Sequence, residues 1–259
     1  MRLVEALDPW LDQVVIVGGW AHHLHRLHAE AQRLDYPPLS TLDADIGMPA
    51  ILTPRAQDIR ARLMDRGFTE EFLGDDRPPA THYRLNGEAS GFYVEFLTPL
   101  VGSEYDRSQR RKATAKIAGV ASQALRYIEV LLDHPSSIDL DYNGVVSTIQ
   151  IANPVSFLAQ KVLIHRKRGR EDRAKDILYM HDTLEVFGAS LVEMGTLWQN
   201  IVARKLHPRN TRTVSKAAEI LFGGISDDIR RAAEISDERA LSPEAVRATC
   251  HYGFTKVFG

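Results

Sequence analysis

Two aspartates, Asp43 and Asp45, stand one residue apart in the segment TLDADI and are the residues best suited to chemistry. Alternate side chains of a β-strand project from the same face, so the two carboxylates are predicted to lie side by side. Like charges at that spacing repel each other, and a divalent cation between them removes the repulsion. Mg²⁺ prefers a few carboxylates together with substrate phosphate oxygens. The pattern predicts a magnesium site; the alternative is an Asp-x-Asp at a solvated strand edge.

The segments around this pair would position it. The apolar run VVIV ends in Gly18 and Gly19, which predicts a buried strand at 13–17 and a tight turn. A helix is predicted over 20–34. The glycines would let the backbone approach a phosphate at the start of that helix, whereas an ordinary turn is the alternative. On the aspartate strand, the apolar side chains are expected to pack into the core from the opposite face: Leu42, Ala44 and Ile46.

The order of apolar strand, Gly-Gly, helix and Asp-x-Asp strand resembles the nucleotidyltransferase superfamily, the DNA polymerase β-like group. The residues that carry the resemblance are Gly18, Gly19, Asp43 and Asp45. The Gly-Gly-Trp-Ala form is similar to the antibiotic-modifying and toxin-type branches. The resemblance implies that the glycine turn binds the triphosphate of an NTP and that the aspartates bind two Mg²⁺ ions, with Mn²⁺ as a substitute. Many relatives carry Ser after the first glycine, so here backbone N–H groups would have to make that contact.

A third carboxylate is expected from the segment GFYVEFLTPL, which predicts a strand with Glu95 as its only charge. A lone carboxylate there costs free energy unless it has a partner. The resemblance implies an acidic residue on this strand, usually Asp, and Glu95 takes that place as a metal ligand or as the base. The alternative is a solvated edge position. The nearby Asp75 and Asp76 are interpreted as part of a hairpin loop rather than as a second metal pair.

Three histidines recur at spacing three within the first predicted helix: His22, His25 and His28. Histidine is a common zinc ligand, but no fourth ligand is evident from the sequence. The alternatives are a partly solvated helix face and contacts to a nucleotide near the helix start.

The second half of the chain has a helical pattern, and the boundary is placed near residue 150, between an α/β domain (1–150) and a helical domain (151–259). Lys161, followed by the basic run 166–170 and by Asp176, resembles the AbiEii-like toxin nucleotidyltransferases. The resemblance implies that the Lys161 ammonium neutralises nucleotide phosphates. A lysine that extends its head to water at the domain boundary is the alternative.

The bulk properties exclude several classes. The 259 residues include 32 basic and 34 acidic side chains, a balance that argues against non-specific coating of nucleic acid. The single cysteine, Cys250, cannot form an internal disulfide. We find neither the apolar segment of a signal peptide nor an apolar run long enough to span a membrane. We therefore expect a soluble cytoplasmic protein. The basic stretch within 101–120 is interpreted as a solvated face or as a contact to a phosphate-rich substrate.

These patterns together predict an α/β fold with a mixed sheet and flanking helices, followed by a helical domain, with the nucleotide in the cleft between them. The predicted function is metal-dependent transfer of an NMP from an NTP to a hydroxyl acceptor, with release of pyrophosphate. RNA, protein and a small hydroxylated molecule stay open as acceptors, and one interpretation is a toxin with an antitoxin partner. The alternative is a non-catalytic nucleotide-binding or protein-interaction module on the same fold.

Overall fold

The computed structural model describes residues 1–73, 81–87, 91–103, 105, 114–235 and 239–259. The chain forms two compact units, one of residues 1–21 and 41–152 and the other of residues 22–40 and 153–259. The first unit combines a mixed sheet with helices and the second is helical, which confirms the predicted fold class. None of the described helices combines the length and apolar character that crossing a membrane requires.

The sheet of the first unit is built from strands β1 to β9 in chain order. Their bounds are Val15–Val17, Asp43–Gly47, Phe68–Phe72, Thr81–Leu85, Tyr93–Pro99, Thr114–Ile117, Val120–Leu125, Ser136–Tyr142 and Val145–Ile151. The spatial order is β3-β4-β5-β2-β1-β9-β8, and β7 joins β5 to β6. The pairs β2–β5, β5–β7 and β1–β9 are parallel, and the other pairs are antiparallel.

The α-helices are numbered α1 to α12 in chain order. Their bounds are Arg2–Leu7, Gly18–Leu24, Ile59–Asp65, Ile128–Leu132, Pro154–Ile164, Arg170–Val186, Leu191–Leu197, Ala203–Lys205, Pro208–Ser215, Ala217–Phe222, Asp227–Glu234 and Pro243–Phe258. Short 3₁₀ turns follow α1, α2, α5 and α6, and a π-helical turn, Trp198–Val202, joins α7 to α8. Several helices begin at a side-chain cap; Asn153, for example, accepts a hydrogen bond from the Ser156 N–H and precedes Pro154 at the first helical position.

One face of the sheet packs into the main core of the first unit. Ala44 and Ile46 of β2 are buried there together with Val94 and Phe96 of β5. Helices α1 and α3 supply further members of the same apolar cluster, including Leu7. Burial of this face fixes the alternation of β2 and β5, because a slip of one residue would turn every apolar side chain outward.

The opposite face of the sheet is apolar at one end. Val15, Val17 and Leu97 form a second buried cluster there with residues of α4. Gly47 allows the close packing, since a Cβ atom at this position would lie 2.7 Å from Cδ2 of Leu132. The other end of this face carries polar residues.

Several predicted elements differ from the structure. The helix predicted over 20–34 is α2 and a 3₁₀ turn that ends at Leu27. The following residues are held by non-helical hydrogen bonds, because the N–H of Gln32 donates to the Val186 carbonyl and the Arg26 guanidinium donates to the Tyr36 carbonyl. Such tertiary bonds replace the helical ladder.

Two further predictions need correction. Leu42 was expected in the core, but β2 begins only at Asp43 and Leu42 is 57% exposed. The pattern of residues 125–132 also predicts a strand, but Tyr127, with φ +68°, ends the extended stretch, and the apolar run continues as α4. A short apolar run fits either element, so periodicity does not separate them. The Asp75-Asp76 loop and the basic residues 106–113 lie outside the described residues.

Candidate active site

Strands β2 and β5 bring the three predicted carboxylates together. The parallel register pairs Asp45 with Glu95 and Asp43 with Tyr93. Residues in register project from the same face of a sheet. Asp43, Asp45 and Glu95 therefore share the face opposite the main core, as their spacing predicted.

Burial and the nearby negative charges change the pKa values of two groups at this site. Burial, and then the charges of Asp45 and Asp43, raise the pKa of Glu95 to about 8. Burial and the same acidic residues raise the pKa of the Tyr93 phenol to about 12. The hydroxyl of Thr41 donates a hydrogen bond to the Asp43 carboxylate. Without a cation, Glu95 thus keeps its proton at neutral pH. The donor set consists of oxygen atoms, the ligands that Mg²⁺ and Mn²⁺ prefer.

Gly18 lies directly beside the Asp45 carboxylate. Its φ is +62°, and a Cβ atom at this position would lie 2.0 Å from Oδ2 of Asp45. Glycine is therefore required twice, for the left-handed backbone and for the close approach. Gly19 follows as the second residue of α2. The sequence assigned both glycines to a phosphate, and that role stays a prediction.

The site includes residues that the sequence analysis missed. Nε2 of His82, on β4, lies 2.9 Å from Oε1 of Glu95. The His82 ring stacks on Tyr93 with 4.3 Å between ring centroids, and the Arg84 guanidinium lies 5.1 Å from the centre of the Tyr93 ring. Burial, and then the charge of Arg84, lower the pKa of His82. The alternation in THYRL placed His82 and Arg84 on one face, and the register of β4 against β5 was the missing information.

Lys161 belongs to the second unit and lies within an ion pair. Its Nζ is 2.6 Å from Oδ1 of Asp176, and Nε of Arg168 is 3.3 Å from Oδ2 of the same carboxylate. The ammonium also lies 5.4 Å from the ring centre of Phe157 and 5.2 Å from that of Tyr179. Lys161 is 6% exposed, so the head as well as the stem of the side chain is buried. Its role toward phosphates stays a prediction.

The spaced histidines are mainly core residues. His22 and His25 are fully buried and pack against Phe157, and His28 lies against Phe187. Burial, and then the neighbouring His25, lower the pKa of His22 to about 3. The alternative of a partly solvated helix face is therefore wrong for His22 and His25.

A different group has ligand-like spacing. Across the described residues, three such side chains offer atoms within 4.8 Å of one another: His181, Asp182 and Glu185. Nη2 of Arg239 lies 2.5 Å from Oδ1 of Asp182, and the Tyr36 hydroxyl donates to Glu185. The Arg239 guanidinium thus already supplies a positive charge to this second group. Among the described residues, His22, His25 and His28 do not form a group with ligand-like spacing, so a zinc site there has no support.

A family model described as nucleotidyltransferase matches residues 1–202. The chain belongs to this nucleotidyltransferase family. No curated protein matches the sequence. Among solved structures, the nucleotidyltransferase toxin MenT4 from Mycobacterium tuberculosis H37Rv is 16% identical, with 99% of this chain and 80% of that chain covered and a TM-score of 0.35. Family membership confirms the resemblance and the enzyme class.

The raised pKa of Glu95 predicts how the stability of the metal-free nucleotidyltransferase depends on pH. The folded chain keeps this proton to about pH 8, whereas the ordinary value is 4.5. Because the folded state binds more protons between these values, stability falls as pH rises through the window, by at most about 1.4 kcal/mol per pH unit. Glu95→Gln removes this dependence, so its stability relative to the wild type should rise with pH. Urea unfolding in EDTA measures the difference.

Glu129→Gln, at an exposed position of α4, is the control. If the free energies of unfolding of Glu95→Gln and the wild type changed with pH in parallel, the assignment of the raised pKa to Glu95 would be contradicted.

The close approach at Gly18 makes a second prediction for the nucleotidyltransferase. Gly18→Ala adds left-handed strain of roughly 1–2 kcal/mol and drives a methyl group into Asp45. Gly144→Ala is the matched control, because Gly144 has φ +80° but no atom within 4 Å of the added Cβ. Thermal unfolding and turnover should show a larger loss of stability for Gly18→Ala, with loss of turnover only in that variant. Equal effects of both variants would show that strain alone matters.

Proposed function

We propose that this nucleotidyltransferase uses Mg²⁺ to transfer an NMP from an NTP to a hydroxyl acceptor. A bond forms between the acceptor oxygen and the α-phosphorus, the bond from that phosphorus to the bridging oxygen breaks, and pyrophosphate leaves with that oxygen. The observation that carries the proposal is the meeting of Asp43, Asp45 and Glu95 on one sheet face, within the part of the chain that matches the family.

The three carboxylates would hold the metal. All their donor atoms are oxygens, and in the metal-free state Glu95 keeps a proton because burial, and then its negative neighbours, raise its pKa. A cation favours ionised ligands, so its binding would release that proton. When bound, Mg²⁺ supplies charge stabilisation to the attacking and leaving oxygens. We propose that Asp43 and Asp45 act as ligands and that Glu95 completes the site or accepts the acceptor proton.

The remaining binding roles fall to backbone groups and a lysine. Gly18 and Gly19 begin α2, and we propose that N–H groups of this turn contact the triphosphate, since no hydroxyl follows Gly18. For Lys161 we propose a role in phosphate neutralisation. The ion pair between Lys161 and Asp176 lowers the net positive charge that a phosphate would meet. We therefore expect the ammonium to orient the phosphate more than to attract it strongly.

A polyanionic acceptor, RNA, is favoured by one feature of the second unit. From Met194 to Ala218 the chain has no Asp or Glu. Five basic side chains in that stretch are exposed: Arg204, Lys205, Arg209, Arg212 and Lys216. A run of exposed basic side chains suits the phosphates of a nucleic acid better than a small neutral molecule. Incubation with each labelled NTP, Mg²⁺ and separated RNA, protein and small-molecule fractions of an extract identifies the acceptor; label in protein or small molecules instead of RNA would overturn this choice.

The aspartate pair provides the test of the proposed reaction. Asp43→Asn with Asp45→Asn should abolish label transfer and leave the fold intact or slightly more stable, because like-charge repulsion is relieved. The same spacing recurs at Asp139 and Asp141, which are exposed on β8, so their double Asn variant is the matched control. Unchanged transfer in a folded Asp43/Asp45 variant would contradict the proposal.

The predicted toxin role is tested in the same variants. Expression of the wild-type chain should arrest growth, and the Asp43/Asp45 double variant should not, if label transfer is the toxic activity. An antitoxin is then sought as a protein that restores growth when co-expressed. Growth unaffected by an active wild-type enzyme would contradict the toxin role and leave the transfer reaction standing.

The lysine should act on phosphates and not on the base. Lys161→Ala should weaken binding of NTP more than binding of the bare nucleoside, since only the NTP carries the charges that an ammonium neutralises. Calorimetric titration with both ligands measures the difference. The variant also leaves Asp176 without its 2.6 Å partner, so Asp176→Asn is the control for loss of the pair. Equal losses for NTP and nucleoside would make Lys161 a structural residue.

A further inference from the structure

A row of polar residues crosses four neighbouring strands at the carboxylate site. Asp45 is in register with Glu95, and Glu71 of β3 is in register with His82. The pairs Tyr83–Val94 and Arg84–Tyr93 place His82 opposite Glu95. Residues in register share a face, so the row reads Asp45, Glu95, His82, Glu71 from β2 to β3.

His82 contacts both the carboxylate and the next charge along the sheet. Its Nε2 lies 2.9 Å from Oε1 of Glu95, and the two side chains are 10% and 14% exposed. On the other side of the ring, Nδ1 lies 3.5 Å from Nη2 of Arg84. Arg84 in turn forms an ion pair with Glu71.

These neighbours decide which ring nitrogen carries the proton of a neutral imidazole. A guanidinium can only donate, so Nδ1 facing Arg84 is the acceptor. Nε2 is then the protonated nitrogen, and it faces a carboxylate oxygen. The Nε2–Oε1 contact is short but is not aligned as a straight hydrogen bond. Such contacts in ligand-free sites often become aligned only in the working complex.

We propose that His82 is a positioning residue of the metal site: its Nε2–H holds one oxygen of Glu95 and thereby orients the carboxylate as a ligand. This inference rests on the proposed function, since it needs Glu95 to bind the cation. Outer partners of this kind fix the orientation of metal ligands, and their loss costs 10–100-fold in metal affinity or activity. Arg84 selects the tautomer that His82 needs for this role.

The experiment must separate this role from packing, because the His82 ring also stacks on Tyr93. His82→Phe keeps an aromatic ring and removes both nitrogens. His82→Gln and His82→Met form a second matched pair, since their side chains are of similar length, but only Gln has an N–H. Binding of Mn²⁺ alone to the full chain is followed by the electron spin resonance signal of the free ion.

Mn²⁺ should bind about 10–100-fold more weakly to His82→Phe than to the wild type. His82→Gln should bind it more tightly than His82→Met. In a Glu95→Gln background, His82→Phe should cause no further loss, because the group that it orients is gone. Thermal unfolding accompanies each measurement, and the Gln–Met pair decides the result if His82→Phe does not fold.

Three results would overturn the positioning role. The first is wild-type Mn²⁺ affinity in a folded His82→Phe, and the second is equal affinity of the Gln and Met variants. The third is an equal loss from His82→Phe with and without the Glu95 carboxylate, which would mean that His82 acts through packing. Absence of Mn²⁺ binding to the wild-type chain would instead overturn the proposed metal dependence, and the positioning role with it.

Discussion

The fold of the first unit must hold three carboxylates close together against their mutual repulsion. Asp43, Asp45 and Glu95 would separate in a flexible chain, because each negative charge raises the free energy of the others. Two paired strands prevent this, since their other faces are buried in the main core and cannot turn. The free energy of apolar burial thus maintains an arrangement that is unfavourable by itself. Burial, and then repulsion by Asp45 and Asp43, raise the pKa of Glu95, and a bound cation would favour the ionised carboxylate.

The same sheet face changes character along its length. At one end, Gly47 and Leu97 let α4 pack closely. At the other end, the side chains in the same alternation are carboxylates, with Gly18 closing over Asp45. A single strand pair therefore serves two purposes, an apolar anchor and a polar site, and the change occurs within one or two residues. Small residues at both transitions permit the backbone and side chains to approach where a Cβ atom would collide.

The carboxylate site could be predicted from local patterns, whereas its surroundings could not. Asp43 and Asp45 stand on one strand, and Glu95 is a lone charge in an apolar segment, so alternation alone assigns their faces. His82 becomes part of the site only through the register of β4 against β5, which a local pattern does not contain. The close contact of Gly18 with Asp45 likewise depends on how β1 pairs with β2. The burial of His22 was missed because helical spacing shows which residues share a face but not what that face contacts.

Net charge was the least informative of the sequence properties, and the reason lies in its distribution. The formal charge of −2 suggested a poor partner for nucleic acid. Yet the acidic residues of the candidate site are clustered in the first unit, and a stretch of the second unit that has no acidic residue exposes five basic side chains. Screening limits electrostatic attraction to about 10 Å at moderate ionic strength. A phosphate group therefore interacts with the local charge near its contact, and a total close to zero is compatible with a strongly basic surface.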